Sequence, residues 1–254
     1  MFEQLPDHFL PLWGICEYDG NRCIAAAFPY RLPEENYAGR NVSRYAVVRD
    51  YHAVCGARLE RACRALRELY PGKAFEWRCD NSSLPEAALA ERAGLGYRGR
   101  HNLLITPAYG SWVFLGIIIA KGLVLPPDPC PLIPDPCDDC PGYCVTACPT
   151  GALSSSGFDK TRCVSYISQR KGALPQEEAA LLRQIGTAWG CDICQEACPR
   201  NQKSRISPLP EFLIDPIAHV TNETPLEGRA YAWRGKAVMQ RNISALEETL
   251  HGWV

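Results

Sequence analysis

The feature that most constrains this chain is a run of thiols. Cys137, Cys140, Cys144 and Cys148, then Cys163, Cys191, Cys194 and Cys198, fall within 62 of its 254 residues. Both groups contain a Cys-x2-Cys and end in Cys-Pro, at Cys148-Pro149 and Cys198-Pro199. Such spacings let one loop wrap several thiolates around a cubane, and in two-cluster ferredoxins the cysteine before proline ligates the other cluster. That logic predicts one [4Fe-4S] cluster on Cys137, Cys140, Cys144 and Cys198. The second takes Cys148, Cys163, Cys191 and Cys194. The alternative is a pair of four-thiolate zinc sites, which more often arise from separate Cys-x2-Cys pairs. Three residues, Pro141-Gly142-Tyr143, stand between the second and third cysteines where bacterial ferredoxins have two, so a local bulge is expected before Cys144.

The remaining cysteines (Cys16, Cys23, Cys55, Cys63, Cys79 and Cys130) lack ligand spacing and read as core packing. Secretion would turn 14 cysteines into a disulfide framework, but the opening residues show no basic region followed by an apolar run. The most apolar stretch, 112–125, is too short to span a bilayer and is interrupted by Lys121. A cytoplasmic, monomeric protein with no membrane partner is therefore expected. A net charge of −1 gives no global pull toward nucleic acid. Any such partner would need local basic surface, for which residues 38–78, with nine Lys and Arg against four Asp and Glu, are the candidate.

Residues 20–126 read as α/β (α+β). A strand is expected over 23–30, and a helix over 50–70 closed by Pro71-Gly72. Ser83-Leu-Pro-Glu86 has capping-box spacing ahead of a helix ended by Gly94. Strands at 103–106 and 112–120 flank a turn at 109–111, and a C-terminal amphipathic helix is expected over 228–250. Eight prolines between 126 and 149 suit an irregular boundary segment. Three parts follow: an α/β domain over 1–126, a two-cluster ferredoxin-like module over 127–205 and a helical tail over 206–254.

Beyond the cysteines, several stretches resemble the epoxyqueuosine reductase family. They are Arg44-Tyr-Ala-Val-Val-Arg-Asp50-Tyr-His52, Glu91-Arg-Ala-Gly-Leu-Gly96-Tyr-Arg-Gly99, Gly110-Ser-Trp-Val-Phe-Leu-Gly116, Ala147-Cys-Pro-Thr-Gly-Ala152, Arg162-Cys-Val-Ser-Tyr166 and Gly190-Cys-Asp-Ile-Cys-Gln195. The likeness runs from about 22 to 202, with a weaker echo at 232–242. It implies a cobalamin-dependent reductase related to reductive dehalogenases. Two [4Fe-4S] clusters, fed by an external low-potential donor, would pass electrons to base-off cobalamin held by the α/β domain. The substrate implied is epoxyqueuosine in a tRNA anticodon loop. The alternatives are a corrinoid reductase of a small substrate and a two-cluster electron carrier without cobalamin.

The resemblance also implies a proton donor at Asp80, which would need an apolar pocket to keep its acid form at neutral pH. Read alone, Asp80 caps the helix starting near Ser83, and Glu86 completes a capping box. Tyr45, Asp50 and His52 are candidates for the cofactor or substrate pocket. Ser165 and Tyr166, beside Cys163, are candidates for the face between cluster and corrin. The chain departs from the family at Gly99-Arg-His101, where Gly-Lys-Asn is usual, and at Gly116-Ile117, where Gly-Glu is usual. It has a shorter N-terminal region and no C-terminal helical-repeat domain in its 254 residues.

Overall fold

The computed structural model describes residues 9–80, 82–123 and 137–247. It begins with a hairpin. β1 (Leu12–Tyr18) and β2 (Asn21–Pro29) pair antiparallel through Asp19-Gly20, at φ 49° and 69°. Positive φ at both turn residues matches the strand twist, which is why Asp-Gly is favoured there. A short α1 (Arg44–Val47) precedes α2 (Tyr51–Leu69), whose N-cap Asp50 accepts the His52 N–H. Then come β3 (Ala74–Arg78), α3 (Glu86–Arg92), the two-residue strands β4 (Tyr97–Arg98) and β5 (Leu104–Ile105), and β6 (Val113–Lys121).

The main sheet runs β1-β2-β6-β3 with every neighbouring pair antiparallel. The fold is a mixed α/β one of the α+β kind. β5 pairs with β4 rather than with the strand that follows it, and the expected turn persists as a Thr106–Gly110 bridge. The central strands are buried on both faces. Ile24, Ala26 and Phe28 of β2, with Phe114, Ile118 and Ala120 of β6, pack toward Leu59, Ala62 and Leu66 of α2. Cys23, Ala25 and Ala27, with Leu115 and Ile117, pack toward Leu89 and Ala90 of α3. Period-two alternation on strands buried on both sides thus yields a stack of α2, sheet and α3. Cys16 and Cys23 join the α3 side and Cys55, Cys63 and Cys79 the α2 side, all buried. Cys130 and the boundary expected at 126 lie outside the described residues.

The cysteine module is assembled from short pieces: α4 (Tyr143–Ala147), β7 (Leu153–Ser154), β8 (Gly157–Phe158), α5 (Val164–Gln169), α6 (Gln176–Ile185), α7 (Ile193–Glu196) and α8 (Pro199–Gln202). Gly142, left-handed at φ 86°, opens α4 and turns the chain between Cys140 and Cys144.

The tail adds α9 (Pro210–Leu213) and α10 (Lys236–Glu247), the latter starting later than expected because 228–235 is turn and a short 3-10 segment. Residues 248–250 of the expected helix lie outside the described residues. Phe212, Tyr231, Val238 and Ile243 belong to the same core as α2 and the sheet. Glu211 takes both arms of the Arg58 guanidinium, at 3.0 and 2.9 Å, which explains why an arginine expected at the surface of α2 is only 9% exposed. Asn242, fully buried, donates to the carbonyls of Ser168 and Ala188 at 2.7 Å each, tying α5 to the segment before Cys191. Among the described residues no helix is long and apolar enough to cross a membrane.

Candidate active site

A cavity of about 500 Å³ lies between the sheet and the cysteine module. Tyr30, Tyr45, Tyr51, Asp80, Glu86 and Phe114 line one wall, and Cys148, Cys163, Ser165, Cys191 and Cys194 the other.

On the first wall, the Asp50 cap places Tyr51 and His52 on the opening turn of α2. Tyr51 stacks on Phe114 of β6, rings 4.1 Å apart and 7° from parallel, and on His52 at 4.1 Å. Its hydroxyl donates to Asp80 Oδ2. His52 stands between two carboxylates, with Nδ1 2.9 Å from Asp50 and Nε2 3.5 Å from Asp80. The hydrogen bond to Asp50, joined by the Asp80 carboxylate 3.5 Å from Nε2, pushes the imidazole up to about 10, so it is an imidazolium at neutral pH. The same contact, reinforced by Tyr51 against the opposing effect of burial, holds the Asp80 carboxyl below its ordinary value. This corrects the expectation of a desolvated acid: Asp80 is a carboxylate with a cation beside it.

Asp80 caps no helix. α3 begins after Pro85 with no side-chain cap, and the Ser83–Glu86 capping box does not form. Glu86 Oε1 instead accepts the Asp80 N–H at 2.9 Å and faces the Ser82 hydroxyl at 3.4 Å. Burial, joined by the nearby Asp80 charge and opposed by the Asp80 N–H, pushes the Glu86 carboxyl up to about 7.

On the second wall the structure sorts the thiols by position in space. Cys140, Cys144 and Cys198 act on one another electrostatically, and Cys137 packs beside Cys198 against Tyr97 and Ile105. Cys191 and Cys194 act on each other and on Cys163, and Cys191 also on Cys148. Each Cys-Pro cysteine thus sits with the other sequence group. Cys148, Cys163, Cys191 and Cys194 all face the cavity, and Cys194 lies within electrostatic reach of Cys144. Burial pushes Cys191 up to about 12 and Cys194 well up as well. At Cys148 burial is outweighed by the surrounding N–H groups of Leu153, Thr150 and Ala152, and the thiol is lowered. Among the described residues no three His, Cys, Asp or Glu side chains converge as ligands of a single ion would; a cubane spaces its thiolates around a larger body.

Of the pocket candidates, Tyr45, Asp80 and Ser165 line the cavity. Asp50 and His52 stand behind Asp80 instead. The Tyr166 ring lies under Lys160, at 5.7 Å, and is not part of the lining. Gly190 makes room for Tyr45: at φ 74°, a Cβ there would lie 2.9 Å from the Tyr45 ring and 2.5 Å from Ser43 Cβ. Tyr51 escaped sequence reasoning, although its place in the Asp50 capping turn pointed to it. Also missed was the buried set that joins the walls. Ser111 donates to Gln195 at 2.8 Å and Asn201 donates to Ser111 Oγ at 2.8 Å and to the Gln195 carbonyl at 2.7 Å. The basic run fares differently from expectation: Arg40, Arg44, Arg58, Arg67 and Arg78 all pair with carboxylates of the chain itself.

Comparison with known proteins accounts for both walls. Residues 136–201 match a family model described as a 4Fe-4S double cluster binding domain, and residues 19–80 match one described as Epoxyqueuosine reductase QueG, DUF1730. An epoxyqueuosine reductase of Listeria monocytogenes is 35% identical over 237 residues, covering 86% of this chain and 61% of the relative. The chain belongs to the epoxyqueuosine reductase family. It spans about 61% of the length of the curated relatives it matches, and its cysteine module is a 4Fe-4S double-cluster domain. A crystal structure of epoxyqueuosine reductase with a tRNA-Tyr epoxyqueuosine-modified stem loop superposes with a TM-score of 0.75 at 29% identity, covering 89% of this chain and 63% of that one. A Bacillus subtilis epoxyqueuosine reductase, with its aspartate catalytic loop swung out of the active site, superposes at 0.72 and 29%, with 89% and 63% covered.

Within the epoxyqueuosine reductase fold, the two departures have structural uses. Arg100 Nη1 donates to the Cys140 carbonyl at 3.1 Å, so it steadies the first cysteine loop. His101 is 4% exposed on the cavity lining, and burial pushes it down to about 4, leaving it neutral. Its Nδ1 accepts the Leu103 N–H at 3.3 Å, which puts the hydrogen on Nε2, where no partner is present among the described residues. Ile117 is wholly buried in the α3-side core.

Proposed function

We propose that this chain is a cytoplasmic reductase that converts epoxyqueuosine to queuosine in a tRNA anticodon loop. The observation that carries the reading is the facing of two chemistries across one cavity: a carboxylate–imidazolium–tyrosine group on the sheet side and four thiols on the other. Cys148, Cys163, Cys191 and Cys194 would ligate the cluster next to the cavity, and Cys137, Cys140, Cys144 and Cys198 the outer one. An external low-potential donor would then feed the outer cluster of a monomeric enzyme. With the division at 126 and 205, the first part would hold the substrate and most contacts to the cofactor, and the second, which adds Ser165, would deliver the electrons.

The cavity suits base-off cobalamin. Its lining includes the aromatic rings of Tyr45, Tyr51 and Phe114, and His101 offers a buried imidazole N–H with no partner among the described residues. Tyr45, Ser165 and His101 would hold the corrinoid, and Asp80 would face the substrate. When bound, cobalamin supplies a low-valent metal able to pass cluster-derived electrons to an electrophilic carbon.

The balance is epoxide plus two electrons and two protons, giving alkene and water. Both C–O bonds break, and the departing oxygen takes both protons. His52 stores a proton 3.5 Å from Asp80 Oδ2, and Tyr51 holds that oxygen in place. Asp80 thereby presents a proton to the oxygen while resting as a carboxylate. The loop bearing Asp80 corresponds, on this reading, to the aspartate catalytic loop of the Bacillus relative.

The test is reconstitution with iron, sulfide and cobalamin, followed by turnover of an epoxyqueuosine-containing stem loop read by mass spectrometry. Queuosine formation is expected, falling by about 10²–10⁴-fold in Asp80→Asn with iron and corrinoid content unchanged. Clusters without cobalamin uptake, or uptake with reduction of an organohalide and never of the stem loop, would overturn the reading.

A further inference from the structure

We propose that Glu86 is the positioning residue for Asp80: from the start of α3 its carboxyl group holds the Asp80 main chain and so keeps the Asp80 side chain facing the cavity beside Tyr51 and His52.

The argument starts from backbone geometry. Asp80 has φ 60°, a left-handed conformation that L residues rarely adopt and that persists only where its surroundings over-determine it. One restraint is local, since the Ser82 N–H donates to the Asp80 carbonyl at 2.7 Å and closes a tight turn. That bond shapes the turn but anchors it to nothing beyond itself. Glu86 supplies an anchor, because its Oε1 accepts the Asp80 N–H at 2.9 Å from a different element. That element is fixed: Leu89 and Ala90 of α3 are wholly buried against β2 and β6.

Two further facts separate this role from ordinary helix chemistry. The carboxyl makes no cap for its own helix, although Ser83 stands at capping-box spacing. It is also placed near a second carboxylate in a partly buried site, which raises its affinity for a proton to a pKa of about 7. An acceptor aimed at the Asp80 N–H repays the like-charge neighbour by fixing where the Asp80 side chain points, and misplacement of a reacting group by about 1 Å can cost on the order of 10²-fold in rate.

The proposal rests on Asp80 as the proton-delivering group, and its test reads the two ideas apart. In the reconstituted holoenzyme, hydrogen exchange at the Asp80 amide is measured alongside kcat and KM for the epoxyqueuosine stem loop. Glu86→Ala is expected to speed exchange of that amide by about tenfold or more and to lower kcat by about 10–10²-fold, with KM within about twofold. Glu86→Gln retains an oxygen acceptor and should restore slow exchange and most of kcat. Glu86→Asp keeps the charge but falls one methylene short, and should resemble Ala; it also serves if the Ala variant fails to fold. Wild-type exchange at Asp80 in the Ala or Asp variant would overturn the proposal, as would a Gln variant as impaired as Ala in both readouts. Full turnover by Asp80→Asn would instead remove the proton-delivery reading, and amide exchange in the Glu86 variants would still decide the positioning.

Discussion

The two walls of the cavity are held in place by different physics. The sheet wall is made by the chain's own packing: Tyr51 lies flat on Phe114, which belongs to a strand paired on both sides, and α2 behind it is clamped to the tail by Arg58 and Glu211. The cysteine wall has helices of only four to six residues around the thiols. Helices that short do not persist on intrinsic propensity. What completes that wall is metal–thiolate bonding, whose free energy becomes folding free energy for the loops that supply the ligands. One half of the site therefore precedes its inorganic cofactor and the other is finished by it.

The largest expected effect breaks this contrast at the cysteine side. Cys194→Ser should remove roughly half the iron per chain and abolish turnover, with the near-ultraviolet signal of the stacked Tyr51 retained; iron analysis and circular dichroism check both. Loss of that aromatic signal together with the iron would mean the walls fold as one unit. Next in size, Arg58→Ala leaves Glu211 without its partner and should destabilise the sheet wall by about 2 kcal/mol in denaturant unfolding, with iron content unchanged.

The smallest effect is a pH dependence confined to the sheet wall. The Glu86 carboxyl binds its proton more tightly in the folded chain, with a pKa of about 7 against 4.5 for the ordinary side chain. Its contribution to stability is therefore fully present below 4.5 and is lost as pH rises through 7. The wild type should accordingly lose on the order of 1–2 kcal/mol relative to Glu86→Gln between pH 4.5 and 8. Unfolding free energies of the two proteins at pH 5 and pH 8 give the comparison, and a constant difference would show that Glu86 is solvated.

Legibility divides along similar lines. Local chemistry was readable: Asp50 and Pro71-Gly72 bracket α2, and the Cys-Pro spacing anticipates that Cys148 and Cys198 cross between groups in space. The Asp19-Gly20 turn was equally readable as a hairpin, and overlooking it hid β1. What depended on distant residues was not. The ionisation of Asp80 is set by His52, 28 positions earlier, which only the β3–α2 packing brings near. Arg58 looks like a solvated helix residue until Glu211 arrives from the tail. At Glu86 the local pattern misled, because Pro85 ends the cap without a side-chain bond and the carboxyl turned back to Asp80. Tyr166 follows Cys163 by three positions, yet its ring packs under Lys160 and not into the cavity.

Asn242 has a consequence for the order of events during synthesis. Its amide closes the contact between α5 at Ser168 and the segment at Ala188 that leads into Cys191, and it is translated after every one of the eight spaced cysteines. A nascent chain that has already exposed all eight spaced cysteines still lacks that clasp. The segment leading into Cys191 is therefore framed only once residue 242 is available, and a stop codon shortly before that position would leave every thiol in place while removing the clasp.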